Sequence, residues 1–299
     1  MGPKHRKQVK GQVTVDPNSK PLIHTLLHPI SWVLHRLHAL LTTILLAVLA
    51  LGPMPHHIGF VMDGNRRYAR LRGQKVAKGH QQGSESLKRT LRLCLRLRIP
   101  VVSVYAFAID NFNRPPEEVD AIMTLARDSL REICQEDGFL QQHGIRLRCI
   151  GRMDLLSPEM QAALREMEVA TSANVNGVLN VCGPYASRDE MTTAVREGVA
   201  DARAGVIEED DLTSDELFDR LATSQSAADV SPLIEHPGQL DILIRTSDVK
   251  RLSDFMMWQC AEDTQIHFVK TYWPDFGFTD MLPILLGWQQ KVWARQMGW

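Results

Sequence analysis

The stretch that decides the fold is HIGFVM at residues 57–62, followed at once by DGNRRYAR at residues 63–70. The first stretch is mostly apolar, which is typical of a strand buried on both faces of a sheet. The second begins with an acid, a glycine and an amide and then supplies three arginines. A polar turn directly after a buried strand is typical of the ligand-binding edge of a parallel sheet. We therefore expect further strands that end in similar turns.

Five further apolar runs predict strands, and the segments between them are long enough for crossover helices. The clearest helix covers residues 119–133, where apolar side chains recur at three- and four-residue spacing behind Pro115 and Pro116. Residues 91–98 alternate apolar and basic side chains, but a parallel sheet needs a crossover there, so we expect helix. The predicted strands are residues 57–62, 101–107, 145–150, 178–182, 240–244 and 266–269.

The predicted fold is therefore α/β. It is a single domain with a six-stranded, mostly parallel sheet covered by helices on both faces and preceded by an apolar N-terminal helix. Residues 205–239 are acidic and then rich in Ser, Ala and Pro, which predicts a surface helix and loop.

Charge and cysteine content exclude several classes of protein. With 34 Lys and Arg against 35 Asp and Glu, the chain of 299 residues has a formal net charge of −1. No overall positive field is available to hold nucleic acid through its phosphates, so we expect no nucleic-acid partner. Five widely spaced cysteines without a C-x-x-C pair indicate neither a zinc cluster nor a disulfide framework. We expect them to be buried thiols in a reducing compartment.

The N-terminal region divides into two parts. Residues 1–28 are basic with few large apolar groups, which predicts a disordered arm. Residues 29–52 contain an apolar run of about fifteen residues, short of the roughly 20 that cross a bilayer as a helix. Three interpretations compete: a membrane-lying or re-entrant helix, a signal peptide and a core helix. The signal peptide is the weakest, because the run begins late and Gly52-Pro53-Met54-Pro55 follows it.

We favour a membrane-associated helix at residues 29–52 that docks on the domain and touches the bilayer, with the basic arm attracted to anionic lipid. Protease protection of the first 50 residues on sealed microsomes would distinguish a helix that lies on the membrane from one that crosses it.

Polar turns follow three of the predicted strands. Asp63 to Arg70 follow the first, Asp110 to Pro115 the second, and Arg245 to Phe255 the fifth. Arginines and free backbone N–H groups suit phosphate, and Asp63 suits a Mg²⁺ that bridges protein and phosphate oxygens. Each turn alone is equally well explained as an ordinary polar loop, with Asp63 as a helix cap. Three on one edge of a sheet could together surround two diphosphates.

At these residues the chain resembles the cis-prenyltransferases, the undecaprenyl and dehydrodolichyl diphosphate synthases. The resemblance covers about residues 53–290, which we take as part of a catalytic domain at 53–299. The double arginine Arg66-Arg67 and the run Arg251-Leu252-Ser253-Asp254-Phe255 are similar to the eukaryotic, fungal-type branch. The other matching motifs are Gly79-His80, Tyr105-Ala106-Phe107, Asn111-Phe112-Asn113-Arg114-Pro115, Glu118-Val119, Arg245-Thr246-Ser247, Trp258-Gln259 and Tyr272-Trp273-Pro274-Asp275-Phe276.

The resemblance implies Mg²⁺-dependent condensation of isopentenyl diphosphate units onto farnesyl diphosphate, each new double bond being cis. The product would be a long-chain dehydrodolichyl diphosphate for dolichol and protein glycosylation, made at the cytoplasmic face of the endoplasmic reticulum membrane. Residues 119–133 would then form the wall of a tunnel for the growing chain, with the small Ala126 on the inner face, although ordinary core packing explains that residue equally well.

The resemblance also implies a role for each matching side chain. Asp63 would bind Mg²⁺ and assist departure of the allylic diphosphate, and Asn65 would help position or deprotonate isopentenyl diphosphate. The allylic diphosphate would be bound by Gly64, Arg66, Arg67, His80, Asn111 and Arg114, and the isopentenyl diphosphate by Arg245, Arg251 and Ser253.

The sequence departs from the family pattern at several positions. Asp248 stands where the family usually has Gly. Bacterial members carry Glu at the positions of Val249 and Thr264, and Ser at that of Ala108. Homodimeric members end in an Arg-x-Gly tail that completes the neighbour's site, whereas Arg295 and Gly298 are one residue too far apart.

We therefore expect a catalytic subunit that borrows this element from a related, non-catalytic partner. Two alternatives are a non-catalytic accessory subunit of the same fold and a homodimeric enzyme that makes shorter chains. The intact Asp-Gly-Asn-Arg-Arg sequence at residues 63–67 argues against the accessory subunit.

Overall fold

Six parallel strands form the centre of the computed structural model, which describes residues 36–37, 40–230 and 237–298. Their order across the sheet is β3-β4-β2-β1-β5-β6, and every neighbouring pair is parallel. The predicted single α/β domain is confirmed, and its sheet is wholly rather than mostly parallel. The strands are β1 His57–Val61, β2 Val101–Tyr105, β3 Ile145–Ile150, β4 Gly177–Cys182, β5 Ile242–Arg245 and β6 Gln265–Phe268.

Helices occupy the crossovers between these strands. The helices predicted around residues 91–98 and 119–133 are confirmed within α2 and α3. A 3₁₀ turn at Trp273–Asp275 precedes the last helix. The helices are α1 Asn65–Leu71, α2 Val76–Arg96, α3 Pro116–Cys134, α4 Phe139–His143, α5 Pro158–Thr171, α6 Ser187–Arg203, α7 Ser214–Asp219, α8 Ala222–Ala228 and α9 Phe278–Gln296.

Both faces of the sheet are covered. On one face, the ring of Phe60 packs 5.9 Å from that of Trp273, whose indole N–H donates to the carbonyl of Gly83 in α2 at 2.8 Å. Asn180 of β4 lies on the opposite face in the register and accepts a 2.5 Å hydrogen bond from Ser226 of α8. The alternation of side chains along each strand therefore gives the sheet two separate cores.

Several strand boundaries differ from the predicted ones by one or two residues. β2 ends at Tyr105 rather than at residue 107, because the amides of Ala106 and Phe107 both donate to the carbonyl of Cys182 and leave the ladder. β5 begins at Ile242 rather than at residue 240, because the Leu240 amide donates to the carbonyl of Gln259. Apolar character continues beyond a strand wherever the connecting turn is itself buried.

The prediction of a surface helix and loop at residues 205–239 is wrong for its second half. α8 is largely buried, and its serine and threonine hydroxyls take part in the core. Residues 231–236 lie outside the described residues. Four of the five cysteines are buried as predicted, Cys149 is partly exposed, and none forms a disulfide.

The predicted disordered arm at residues 1–28 lies outside the described residues, as does part of the helix predicted at 29–52. Within that range, residues 36–37 and 40–49 are helical, and Leu40, Leu41, Ile44 and Val48 are half exposed or more. Across the described residues, the longest apolar helix falls short of what a membrane crossing requires. A compact unit that contains all six strands begins at Leu49.

A buried polar network crosses the sheet at His57. Its Nε2 lies 2.8 Å from the hydroxyl of Ser103 and its Nδ1 lies 3.2 Å from the carbonyl of Gly238. The Asn180 amide donates to the same Ser103 hydroxyl at 3.0 Å. Burial, together with the charge of the neighbouring His56, lowers the pKa of His57 to about 3. His57 is therefore neutral in the folded protein at all but very acidic pH.

We predict that His57 makes the fold sensitive to mild acid. Its pKa rises from about 3 when folded to 6.5 when unfolded, so the unfolded state takes up more protons and stability falls as pH drops below about 6.5. Between pH 7 and 5 this proton uptake lowers the free energy of unfolding by about 2 kcal/mol. In urea unfolding, the free energy of unfolding of His57→Gln should fall by about 2 kcal/mol less than that of wild type over that range. Between pH 7 and 8 the free energies of the two proteins should change in parallel. Equal acid slopes would contradict the account.

Candidate active site

The three polar turns meet because their strands are neighbours. β2, β1 and β5 lie side by side in the sheet, and in a parallel sheet all carboxyl ends meet at one edge. β2, the next strand along the chain, pairs with one edge of β1, and β5 pairs with the opposite edge of β1. The strand order therefore reverses at β1, and such a reversal leaves a crevice at the strand ends.

A cavity of about 790 Å³ opens at this edge. It is bounded by the turns after β1, β2 and β5 and by α2 and α3. All the predicted site residues line it: Asp63, Gly64, Asn65, Arg66, Arg67, His80, Asn111, Arg114, Arg245, Arg251 and Ser253. The structure thus brings together side chains that are up to 190 positions apart in sequence, from Asp63 to Ser253.

The charges on the cavity wall are strongly unbalanced. Among the described residues, Asp63 is the one acidic side chain that lines it. Six arginines face that single carboxylate: Arg66, Arg67, Arg70, Arg114, Arg245 and Arg251. An excess of five positive charges in one concave site attracts and holds polyanions.

Asp63 joins the turns after β1 and β5. Its Oδ2 accepts a hydrogen bond from Arg245 Nη2 at 3.1 Å, and its Oδ1 lies 3.6 Å from Arg67 Nη2. Its backbone carbonyl accepts hydrogen bonds from the hydroxyls of Thr246 at 2.7 Å and Ser247 at 2.8 Å. The carboxylate remains 31% exposed, so its position is fixed while part of it still faces the cavity.

Gly64 allows this close approach. Its φ of 104° lies in the left-handed region, and a Cβ at this position would come within 2.0 Å of the Ser247 hydroxyl oxygen. A residue with a side chain would be both strained and in collision. Gly64 therefore shapes the site through its backbone.

A second ion-pair group connects α1 to the start of α3. Glu118 Oε1 accepts from Arg66 Nη1 at 3.4 Å and from Arg114 Nη1 at 3.3 Å. Arg114 Nη2 also donates to the Asn111 side-chain oxygen at 2.9 Å. Burial lowers the pKa of Arg114, and the nearby Arg66 lowers it further. The two arginines are thus held close together by one carboxylate, which lies outside the cavity lining.

His80 lies beside this group with an unsatisfied ring nitrogen. Its Nε2 is buried and has no hydrogen-bond partner among the described residues. Burial lowers the pKa of His80 to about 4, and the positive charge of Arg114 adds to the effect. The imidazole is therefore neutral at pH 7 and can offer one N–H donor to an anion. The side-chain oxygen of Asn65 is also buried without a partner.

The turn after β5 forms a compact arginine-serine group. Arg245 is almost fully buried, and its Nη1 donates to the Arg251 carbonyl at 2.6 Å and to Ser253 Oγ at 2.7 Å. Arg251 Nε also donates to Ser253 Oγ, at 3.2 Å. Burial lowers the pKa of Arg245, which Asp63 partly offsets. Arg245 organises the turn, whereas Arg251, exposed at the rim, is free to bind a ligand.

The remaining part of the cavity wall is mainly apolar. Val104 of β2 and Val181 of β4 lie on one side, and α3 lies on the other. Ala126, with its small side chain, lies on the inner face of α3. The α3 side chains that line the cavity are Ile122, Leu125, Ala126, Ser129 and Leu130.

The structure shows the position of three departures from the family pattern. Asp248 is exposed and lies outside the cavity lining, so its carboxylate does not enter the arginine-rich site. Val249 does line the cavity, and so does Ala108. The sequence analysis missed Arg70, which lines the cavity four residues after Arg66 on α1. The i, i+4 spacing on one helix face is the signal that could have identified it.

The residues present suit a metal shared with a ligand better than an all-protein metal centre. In the part of the chain that is described, no group of three or more His, Cys, Asp or Glu side chains could hold a metal. Mg²⁺ is commonly bound by one or two carboxylates together with substrate phosphate oxygens and water. Asp63, which is partly exposed and shares the cavity wall with six arginines, fits that arrangement.

Comparisons with known proteins agree with this geometry. The family model described as "Putative undecaprenyl diphosphate synthase" matches residues 61–298. A dehydrodolichyl diphosphate synthase complex subunit of Schizosaccharomyces pombe is 40% identical over 87% of this chain and 93% of its own length. The human subunit of that name is 39% identical over 82% of this chain and 70% of its own length.

A solved structure gives the same result for the fold. Lavandulyl diphosphate synthase from Lavandula x intermedia, in complex with dimethylallyl diphosphate, superposes with a TM-score of 0.70 at 28% identity. The match covers 79% of this chain and 95% of that one. With the family model matching most of the chain and relatives near 40% identity, the protein belongs to the undecaprenyl diphosphate synthase family and is a cis-prenyltransferase.

Proposed function

We propose that this protein is the catalytic subunit of a dehydrodolichyl diphosphate synthase. It condenses isopentenyl diphosphate units onto farnesyl diphosphate, with a cis double bond at each step. The observation that carries the proposal is one cavity lined, among the described residues, both by six arginines and by the mainly apolar inner face of α3. Such a cavity suits substrates that join a diphosphate to a hydrocarbon chain. The names of the fungal and human relatives support the same activity.

The main requirement of this reaction is that the site stabilises the departing diphosphate anion. The allylic C1–O bond breaks, C1 bonds to C4 of isopentenyl diphosphate, and C2 of that unit loses a proton to the departing diphosphate. Loss of the diphosphate leaves a delocalised allylic cation, so preorganised positive groups around the leaving group lower the barrier. Arg66, Arg67 and Arg114 supply that charge, and neutral His80 adds a hydrogen-bond donor.

Mg²⁺ would be held by Asp63 and by diphosphate oxygens. When bound, it supplies Lewis-acid stabilisation of the leaving diphosphate. Asp63 is held toward the cavity by Arg245 and Arg67, and its exposed oxygens leave room for a further ligand.

The incoming isopentenyl diphosphate is assigned to the turn after β5. Arg251 and the Ser253 hydroxyl face the cavity there, while Arg245 holds both in place. Asn65 follows β1, and β1 lies between β5 and β2 in the sheet. It therefore stands between the turn after β5 and the proposed allylic site. An amide stays neutral at all working pH and is a poor base, so Asn65 orients the isopentenyl unit by hydrogen bonding.

The growing hydrocarbon is assigned to the apolar part of the cavity, along α3. The small side chain of Ala126 leaves space on the inner face of that helix. We predict that Ala126→Trp shortens the products, because the indole would fill the path of the chain. Product length is measured by chromatography of dephosphorylated products, with the exposed α3 residue Asp128 changed to Trp as a control. Unchanged product length in Ala126→Trp would contradict the assignment.

We further propose that the protein works as a heteromer with a related, non-catalytic subunit. Several relatives are named as subunits of a complex. In the described part of this chain, the cavity lining has no residue after Trp273, so α9 does not complete it. Arg295, near the end of α9, instead forms an ion pair with Asp263 of its own chain.

An assay of isopentenyl transfer from farnesyl diphosphate with Mg²⁺ tests the proposed function and its partner together. The chain should be weakly active alone and gain at least about tenfold when a related accessory subunit is added, because one added charge-stabilising contact can be worth a hundredfold or more. Full activity alone would indicate a homodimeric enzyme. Absence of transfer under both conditions would indicate the accessory-subunit alternative.

A further inference from the structure

We propose that Asp254 is the positioning residue of the isopentenyl diphosphate turn, because it ties the Arg251–Ser253 segment to the first residues of α6. This inference deepens the proposed function and rests on it. Asp254 is not part of the cavity lining, so it acts through the residues beside it and not by contact with a ligand.

The turn after β5 is strained and needs external support. Ser253 and Asp254 have φ values of 54° and 60°, and Ser247, Asp248 and Met256 also have positive φ. Left-handed backbone at a residue with a side chain is unfavourable and persists only where the surroundings enforce it. Asp and Asn tolerate this region better than most residues. The conformation of Ser253 is therefore set by its neighbours.

Asp254 supplies that support through three hydrogen bonds to α6. Its Oδ1 accepts from the Arg188 backbone amide at 3.1 Å and its Oδ2 accepts from Arg188 Nε at 2.9 Å. Its carbonyl accepts from the Ser187 amide at 2.8 Å. The Ser187 hydroxyl in turn accepts from the amide of Met257 at 2.9 Å. The turn is thus held on both sides of Asp254, and its carboxylate satisfies an amide that helix α6 itself leaves free.

The start of α6 is rigid enough to serve as an anchor. Glu190 in its first turn is buried, and three groups from other segments donate to its carboxylate. They are the Tyr185 hydroxyl at 2.6 Å, the Thr223 amide at 2.9 Å and the Gln259 side-chain amide at 2.9 Å. A buried carboxylate that accepts three hydrogen bonds from different segments holds those segments together. Asp254 therefore connects the turn to a fixed point in the core.

The position of the Ser253 hydroxyl is what this connection secures. Its oxygen already accepts hydrogen bonds from Arg245 Nη1 and Arg251 Nε. A hydroxyl has two acceptor sites and one donor, so its hydrogen is left to point toward a diphosphate oxygen. Release of Asp254 would let the strained backbone relax and would move the hydroxyl and Arg251 together.

Steady-state kinetics of three variants test the proposal. Asp254→Ala should raise KM for isopentenyl diphosphate at least tenfold and leave KM for farnesyl diphosphate within twofold of wild type. Asp254→Asn keeps the tolerated backbone and an acceptor for the Arg188 amide, so it should recover most of the loss. Asp189→Asn removes a first-turn carboxylate of α6 that pairs with Arg152 instead, and it should behave as wild type.

Binding of isopentenyl diphosphate to the resting protein, measured by calorimetry, separates this proposal from the proposed function. A tenfold weaker Kd in Asp254→Ala supports the connection even if the wild-type chain shows no turnover, which would count against the function alone. Equal rises in both KM values, or an unchanged Kd, would overturn the proposal.

If Asp254→Ala does not fold, Arg188→Met removes one of the three hydrogen bonds and should give a smaller KM rise for isopentenyl diphosphate alone. An unchanged KM in that variant would also overturn it.

Discussion

The ion pair between Asp63 and Arg245 is the interaction on which the site depends. It joins the carboxyl ends of β1 and β5 at 3.1 Å, and the Arg245 side chain is only 5% exposed. Removing one partner of such a pair leaves a buried charge without compensation, which is strongly unfavourable. Arg245 also fixes the turn after β5, because its other terminal nitrogen donates to the Arg251 carbonyl and to Ser253 Oγ. One guanidinium thus sets the spacing between the proposed metal ligand and the proposed isopentenyl site.

Although the net charge of the chain is near zero, its charged residues are unevenly distributed. Of the residues that the structure describes, six arginines and one carboxylate line the cavity, whereas many acids lie elsewhere on the surface. Glu118 shows how the protein tolerates this concentration before a ligand arrives, since it pairs with both Arg66 and Arg114. A bound diphosphate would offer these arginines a stronger partner than one shared carboxylate. Glu118 therefore offsets part of the repulsion between these two arginines, and the cavity keeps an excess of positive charge that suits an anion.

Much of this arrangement could be predicted from the sequence because parallel sheets follow a simple rule. Polar turns after apolar runs lie at one edge, so Asp63, Arg114 and Arg251 could be placed together without knowledge of their packing. The buried half of the 205–239 segment could not be predicted, since Ser226 resembles a loop residue until its hydroxyl is seen bonded to Asn180. Support of the turn by α6 depends on contacts between distant segments, which no local pattern reveals.

The central claim is that Asp63 acts in the departure of an allylic diphosphate. The most direct test is incorporation of labelled isopentenyl diphosphate by Asp63→Asn, which keeps the shape of the side chain and removes its charge. We expect kcat/KM to fall at least about a hundredfold, because several kcal/mol of transition-state stabilisation are lost, while thermal unfolding shows a folded protein. A kcat/KM within threefold of wild type would contradict it.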